Sequence, residues 1–212
     1  MNILGTLISP RHVLTTGHCI HSGGLSGSWF TDNIFVLVRY PTNGTAPTKL
    51  TFKAAYANSV SGWTVNADPD YNYSLIFLQE DMNQGWMSFG WDNGLGDNWN
   101  ININSFPTDK SPVPNALPNT MWHSYRAITD HGDLTFDHNA PTYEGNSSSD
   151  VYLYNPPDFW HIYGVHKGYH TWTEHNFPDV WNTQTDISNW ATWVNEARFN
   201  QICGWMASPQ VC

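Results

Sequence analysis

Three separated runs hold side chains that could carry out acyl transfer together. In Gly5-Thr6-Leu7-Ile8-Ser9-Pro10-Arg11-His12-Val13-Leu14-Thr15-Thr16-Gly17-His18-Cys19, an apolar, strand-like stretch delivers a histidine at its end. An imidazole so placed can take a proton from a hydroxyl held elsewhere in the chain. In Gly145-Asn146-Ser147-Ser148-Ser149-Asp150, a serine sits in a short polar turn. Acyl transfer needs a hydroxyl in such a turn, with backbone N–H groups aimed at the developing oxyanion. Gly145 and Ser147 would supply those donors. Between the two runs, Asn72 precedes the apolar stretch Tyr73-Ser74-Leu75-Ile76-Phe77-Leu78. The Asn72 amide can hydrogen-bond an imidazole but carries no charge to stabilise an imidazolium.

The His18 run resembles the histidine block of chymotrypsin-like serine proteases. The Gly145–Asp150 run resembles the Gly-Asn-Ser-Gly-Ser-Pro block of the V8-type glutamyl endopeptidases, and the order His then Ser agrees. The stretch from Asn72 resembles the family's aspartate block, with Asn72 in the aspartate position. Ser148 stands for a usual glycine and Asp150 for a usual proline; a positive φ at Ser148 would strain the turn. Trp160 to Gly168 resembles the pocket segment of the V8-type enzymes. There His166 matches a histidine, and Thr142 a threonine, that receive a substrate carboxylate. Lys167 replaces a neutral residue, and either reinforces acidic selectivity or faces solvent.

The resemblance implies a serine endopeptidase that cleaves after Glu or Asp through an acyl-enzyme. Its catalytic residues would be His18, Asn72 and Ser147, its oxyanion hole Gly145 and Ser147, and its pocket residues Thr142 and His166. Asp70 is an alternative orienting group, because residues two apart on a strand face the same side. The competing reading is a catalytically impaired relative that binds peptides or proteins through the same cleft.

The elements that must bring these runs together read as all-β. Short β-type runs alternate with Gly, Asn, Pro and Asp clusters, as in an antiparallel barrel or sandwich. With the resemblance, the expectation is two antiparallel six-stranded-type barrels, the first incomplete. Residues 1-82 would carry His18 and Asn72, 83-98 would be a linker, and 99-212 would carry Ser147. A C-terminal helix is predicted from the spacing of Ile187, Trp190, Trp193, Val194 and Ala197, with Thr185 or Asp186 as N-cap. Residues Pro107 to Pro118 read as a surface loop.

Composition narrows the partners. The chain of 212 residues has net charge −10 and only eight Lys and Arg. That argues against nucleic acid and anionic membranes. No apolar run reaches membrane-spanning length. A peptide or protein substrate, a monomer, no cofactor and no metal are expected. Asp68, Asp70 and Asn72 imitate a calcium loop without its glycine or its closing glutamate. His166, His170 and His175 fit no closed zinc site. Cys203 and Cys212 are close enough in sequence to pair, which would leave Cys19 free. Secretion is expected, mostly through the family resemblance.

Overall fold

The computed structural model describes residues 4–30, 35–39, 49–107, 109, 121–155, 159–174 and 184–206. The first sheet has five strands: β1 (Thr6–Ser9), β2 (His12–Thr15), β3 (Phe35–Arg39), β4 (Lys49–Ser59) and β5 (Ser74–Leu78). They lie in the order β1-β2-β5-β4-β3, all antiparallel. Strand β5 is buried at every position, as its unbroken apolar run requires of a central strand. A short helix, α1 (Ser61–Thr64), and a 3-10 turn at Pro69–Tyr71 connect β4 to β5.

The second sheet has seven strands: β6 (Ser88–Phe89), β7 (Asn100–Ser105), β8 (Trp122–His131), β9 (Thr135–His138), β10 (Asp150–Asn155), β11 (Phe159–Glu174) and β12 (Gln184–Trp193). Pairing of β10 with both β7 and β11 closes six of them into a barrel. Ile101, Ile103, Val151, Leu153 and Tyr163 alternate inward and fill it with Ile128 and Phe136. Strand β6 joins β11 in parallel, so the stretch read as linker contributes a strand. A second cluster lies between the sheets, where Ile8, Leu14 and Leu75 meet Phe89, Ile162, Val194 and Ile202. It fixes the edge bearing His18 against the barrel bearing Ser147.

The helix lies further along than its predicted position. Residues 184–193 form β12, which pairs with β11 over ten positions, from Gln184 opposite Glu174 to Trp193 opposite Gly164. Thr185, Asp186, Ile187, Trp190 and Trp193 therefore belong to a strand. Residues three apart alternate faces in a strand, so pairing with the long β11 overrides the helical spacing here. Helix α2 (Glu196–Met206) begins only after Asn195, whose Oδ1 accepts from the Arg198 N–H at 3.1 Å. Of the residues used to predict the helix, Ala197 alone lies in α2. Arg198, Ile202 and Met206 form its buried stripe, four residues apart.

Cys19 is a free, buried thiol and Cys203 is disulfide-bonded. The expected pairing of Cys203 with Cys212 reaches outside the described residues, as do His175 and the loop from Pro107 to Pro118 apart from Pro107 and Asp109. Among the described residues no helix is long and apolar enough to cross a membrane.

Asp150 opens β10 at the junction of the sheets. It is buried, and the Thr6 hydroxyl of β1 donates to it. Burial pushes its carboxyl up to about 6, with the Thr6 bond acting in the opposite direction. A raised carboxyl contributes stability that is complete below its ordinary pKa and fades as pH rises through about 6. In thermal melts from pH 7.5 down to pH 4, the parent should gain on Asp150→Asn as acid is added. A melting difference that stays constant across this range would show that Asp150 does not titrate this way.

Candidate active site

Strand β2 ends at Thr15, and a 3-10 turn at Gly17–Cys19 lifts His18 out of the sheet. Gly17 is required there: a Cβ would meet the Trp63 ring of α1 at 2.7 Å. That ring stands edge-on to His18, with centroids 6.4 Å apart.

Asn72 follows the Pro69–Tyr71 turn and is buried. Its Oδ1 accepts from the His18 backbone N–H at 2.9 Å, and its Nδ2 lies 2.9 Å from His18 Nδ1. A backbone N–H can only donate, so it decides which end of the amide is oxygen. The other end is NH₂, which also only donates. His18 Nδ1 must therefore accept, and the proton of the neutral ring lies on Nε2. Nε2 is 3.4 Å from Thr16 Oγ1, which can receive that proton in a long hydrogen bond. Burial lowers the pKa of His18, so the neutral ring is favoured.

Among the described residues Asp70 makes no hydrogen bond to His18. Pro69–Tyr71 is a turn rather than a strand, so the two-residue periodicity that would have aligned Asp70 with Asn72 does not apply. Asp68 instead caps this turn, its Oδ1 accepting from the Asp70 N–H at 3.0 Å.

The serine run comes against the histidine run through Ser148. Its hydroxyl accepts from the Thr16 N–H at 3.0 Å and lies 2.5 Å from Thr16 Oγ1 and 3.1 Å from Cys19 Sγ. Its φ is +73°, the left-handed conformation that the missing glycine would have taken without strain. Ser147 is half-buried, and its hydroxyl donates to the Lys167 carbonyl at 3.4 Å. No hydrogen bond joins Ser147 to His18 among the described residues. Gly145 turns the chain at φ +92°. Within this loop the N–H groups of Asn146, Ser148 and Ser149 donate to the carbonyls of Tyr143, His166 and Asn146. Among the described residues no backbone hydrogen bond occupies the N–H groups of Gly145 and Ser147.

The two residues expected to line a substrate pocket, His166 and Thr142, are engaged within the protein. His166 is 1% exposed, and its Nδ1 lies 3.2 Å from His138 Nε2. Burial, then the His138 charge, hold it well below 6.5, with a bond to the Trp190 backbone acting the other way. His138 is pushed by burial to about 3. The pair is thus neutral. Thr142 Oγ1 donates to Asn189 Oδ1 at 2.5 Å, and Asn189 Nδ2 donates to the Ala140 carbonyl at 3.0 Å. Lys167 neither faces solvent nor joins His166. Its Nζ donates to the Pro69 carbonyl at 3.0 Å and lies 3.4 Å from the Trp190 ring centroid. His138, Arg198 and the Ser148 hydroxyl were not singled out in the sequence as parts of the site. Among the described residues no group of three or more His, Cys, Asp or Glu could hold a metal ion.

A solved structure of a Glu endopeptidase in complex with MPD superposes with TM-score 0.73, covering 97% of this chain and 86% of that one at 21% identity. The chain has the chymotrypsin-like fold. It is 26% identical over 151 residues to an extracellular metalloprotease of Bacillus subtilis (strain 168), covering 70% of this chain and 45% of the relative. It is also 26% identical over 153 residues to a glutamyl endopeptidase of Bacillus licheniformis, covering 70% and 44%. The chain thus spans less than half the length of these curated relatives, both of which are proteases by name. No family model matches the chain.

The chymotrypsin-like loop geometry gives Ser148 a strain that its hydroxyl offsets. Ser148→Ala keeps the Cβ at positive φ and leaves the Thr16 N–H without its partner. It should cost about 1–3 kcal/mol in urea unfolding. Ser148→Gly loses the same bond but relieves about 1–2 kcal/mol of strain. Ser148→Gly should therefore be the more stable variant. The reverse order would mean that the turn carries no strain.

Proposed function

We propose that this chain is a serine-type endopeptidase whose cleft is retained and whose turnover is held back at His18. Ser147 is the nucleophile, Gly145 and Ser147 donate to the oxyanion, and His18 is the base. The observation that carries the reading is the contact of Asn72 with both the backbone and the ring of His18. It is the right contact for an orienting residue, made by the wrong functional group. A ring protonated on Nε2 has no lone pair for the Ser147 proton. Aspartate at position 72 would accept from both His18 N–H groups and move the ring proton to Nδ1.

The substrate is a peptide, with an acidic residue before the cut. The named glutamyl endopeptidase relative and the positions of His166 and Thr142 support this preference. A carboxylate would have to displace Asn189 from Thr142 and draw an N–H from a neutral His166. The discrimination between Glu and Gln is therefore weaker than a charged histidine would give. Secretion is supported by the disulfide at Cys203 and by the extracellular relative.

The catalytically silent alternative, a peptide-binding protein, is favoured by the same Asn72 geometry. One experiment separates the two: hydrolysis of Glu- and Gln-containing peptides by the parent, Asn72→Asp and Asn72→Asp/Ser147→Ala. Asn72→Asp should raise kcat by up to about 10⁴-fold, with Glu preferred, and the added Ser147→Ala should abolish the gain. An Asn72→Asp variant as silent as the parent supports the binding-protein reading.

A further inference from the structure

The turn that carries Asn72 is held from the far side by two buried basic side chains, Lys167 and Arg198, and burial lowers the pKa of the Lys167 ammonium to about 7. Lys167 of β11 reaches across from the barrel, and its Nζ donates to the Pro69 carbonyl at 3.0 Å. Arg198 of α2 donates through Nη2 to the Asp70 carbonyl, and through Nη1 to the carbonyls of Leu134 and, at 2.7 Å, Trp193. The Thr192 hydroxyl of β12 donates to the Asn72 carbonyl at 3.4 Å. Two barrel strands and helix α2 thus grip the carbonyls of residues 69, 70 and 72.

Each cation also has aromatic neighbours. Lys167 Nζ lies over Trp190, and Arg198 lies 5.6 Å from the Tyr71 ring and 5.3 Å from the Tyr73 ring. Both residues are buried, at 6% and 3% exposure. Among the described residues neither makes an ion pair with a carboxylate. Removing two cations from water is expensive, and apolar packing would hold a turn at less cost. What a cation adds is direction. A charge-assisted bond to one carbonyl fixes where the turn stands relative to β11 and α2.

We propose that Lys167 and Arg198 are positioning residues, which hold residue 72 at the distance where its side chain spans the backbone N–H and the ring of His18. This rests on the reading of His18 and Asn72 as the orienting pair. Neither cation touches His18 in the described contacts. Each acts through the turn.

Backbone hydrogen exchange of the parent, Lys167→Met and Lys167→Arg tests this without requiring turnover. The His18 amide is protected by Asn72 Oδ1, so Lys167→Met should speed its exchange by about 10-fold or more. Amides of Ile103 and Val151 in the barrel should keep their parent rates, and Lys167→Arg should recover much of the protection. A His18 amide unchanged in Lys167→Met, or accelerated only as much as the barrel amides, would overturn the proposal. If Lys167→Met does not fold, Arg198→Lys, which retains the charge with fewer donors, is read by the same comparison. In the Asn72→Asp background, Lys167→Met should lower kcat about 10- to 100-fold with KM unchanged. Absence of turnover with either residue at 167 would count against the proposed function, while the exchange result would still decide the positioning role.

Discussion

The site depends on one backbone donor. The His18 N–H cannot reverse its polarity, and by binding Asn72 Oδ1 it dictates the orientation of the amide, the role of Nδ1 and the location of the ring proton. Every other part of the cleft is arranged around a histidine in that state. Thr16 receives the Nε2 side of the ring, and Ser148 closes onto Thr16. Ser147 turns its hydroxyl to the Lys167 carbonyl. In this resting arrangement no hydrogen bond joins Ser147 to His18 among the described residues.

The two sheets share the work of making this state. The first sheet supplies the histidine and residue 72, and the barrel supplies the serine loop. The apolar cluster between them sets their separation. Polar connections then set the orientation, through Ser148 to Thr16 on one side of His18 and through Lys167 and Arg198 to the 69–72 turn on the other. This division follows from the physics. Apolar burial is non-directional and determines which surfaces meet. Hydrogen bonds to fixed carbonyls determine the angle at which they meet.

Much of this was legible in the sequence because local pattern and chemistry agreed. The His18 and Ser147 blocks are short, contiguous and tied to glycines at tight turns, so their letters carry their conformation. The positive φ at Ser148 was foreseeable because a glycine was missing from a turn that needs one. The C-terminal helix lies further along because pairing with the long strand β11 overrides the helical spacing of Ile187, Trp190 and Trp193. Lys167 and Arg198 could not be assigned from sequence, since a buried cation is specified by distant carbonyls with no sequence signature. The neutral His138–His166 pair was hidden for the same reason: strands β9 and β11 meet only through β12.

The central claim is the location of one proton, and it can be read directly. Ring ¹⁵N chemical shifts of His18 at neutral pH distinguish a protonated from an unprotonated nitrogen. The account predicts an unprotonated Nδ1 and a protonated Nε2 in the parent. A parent His18 with its proton already on Nδ1 would mean that Asn72 does not hold the ring as described, and the explanation of restrained turnover would fail with it.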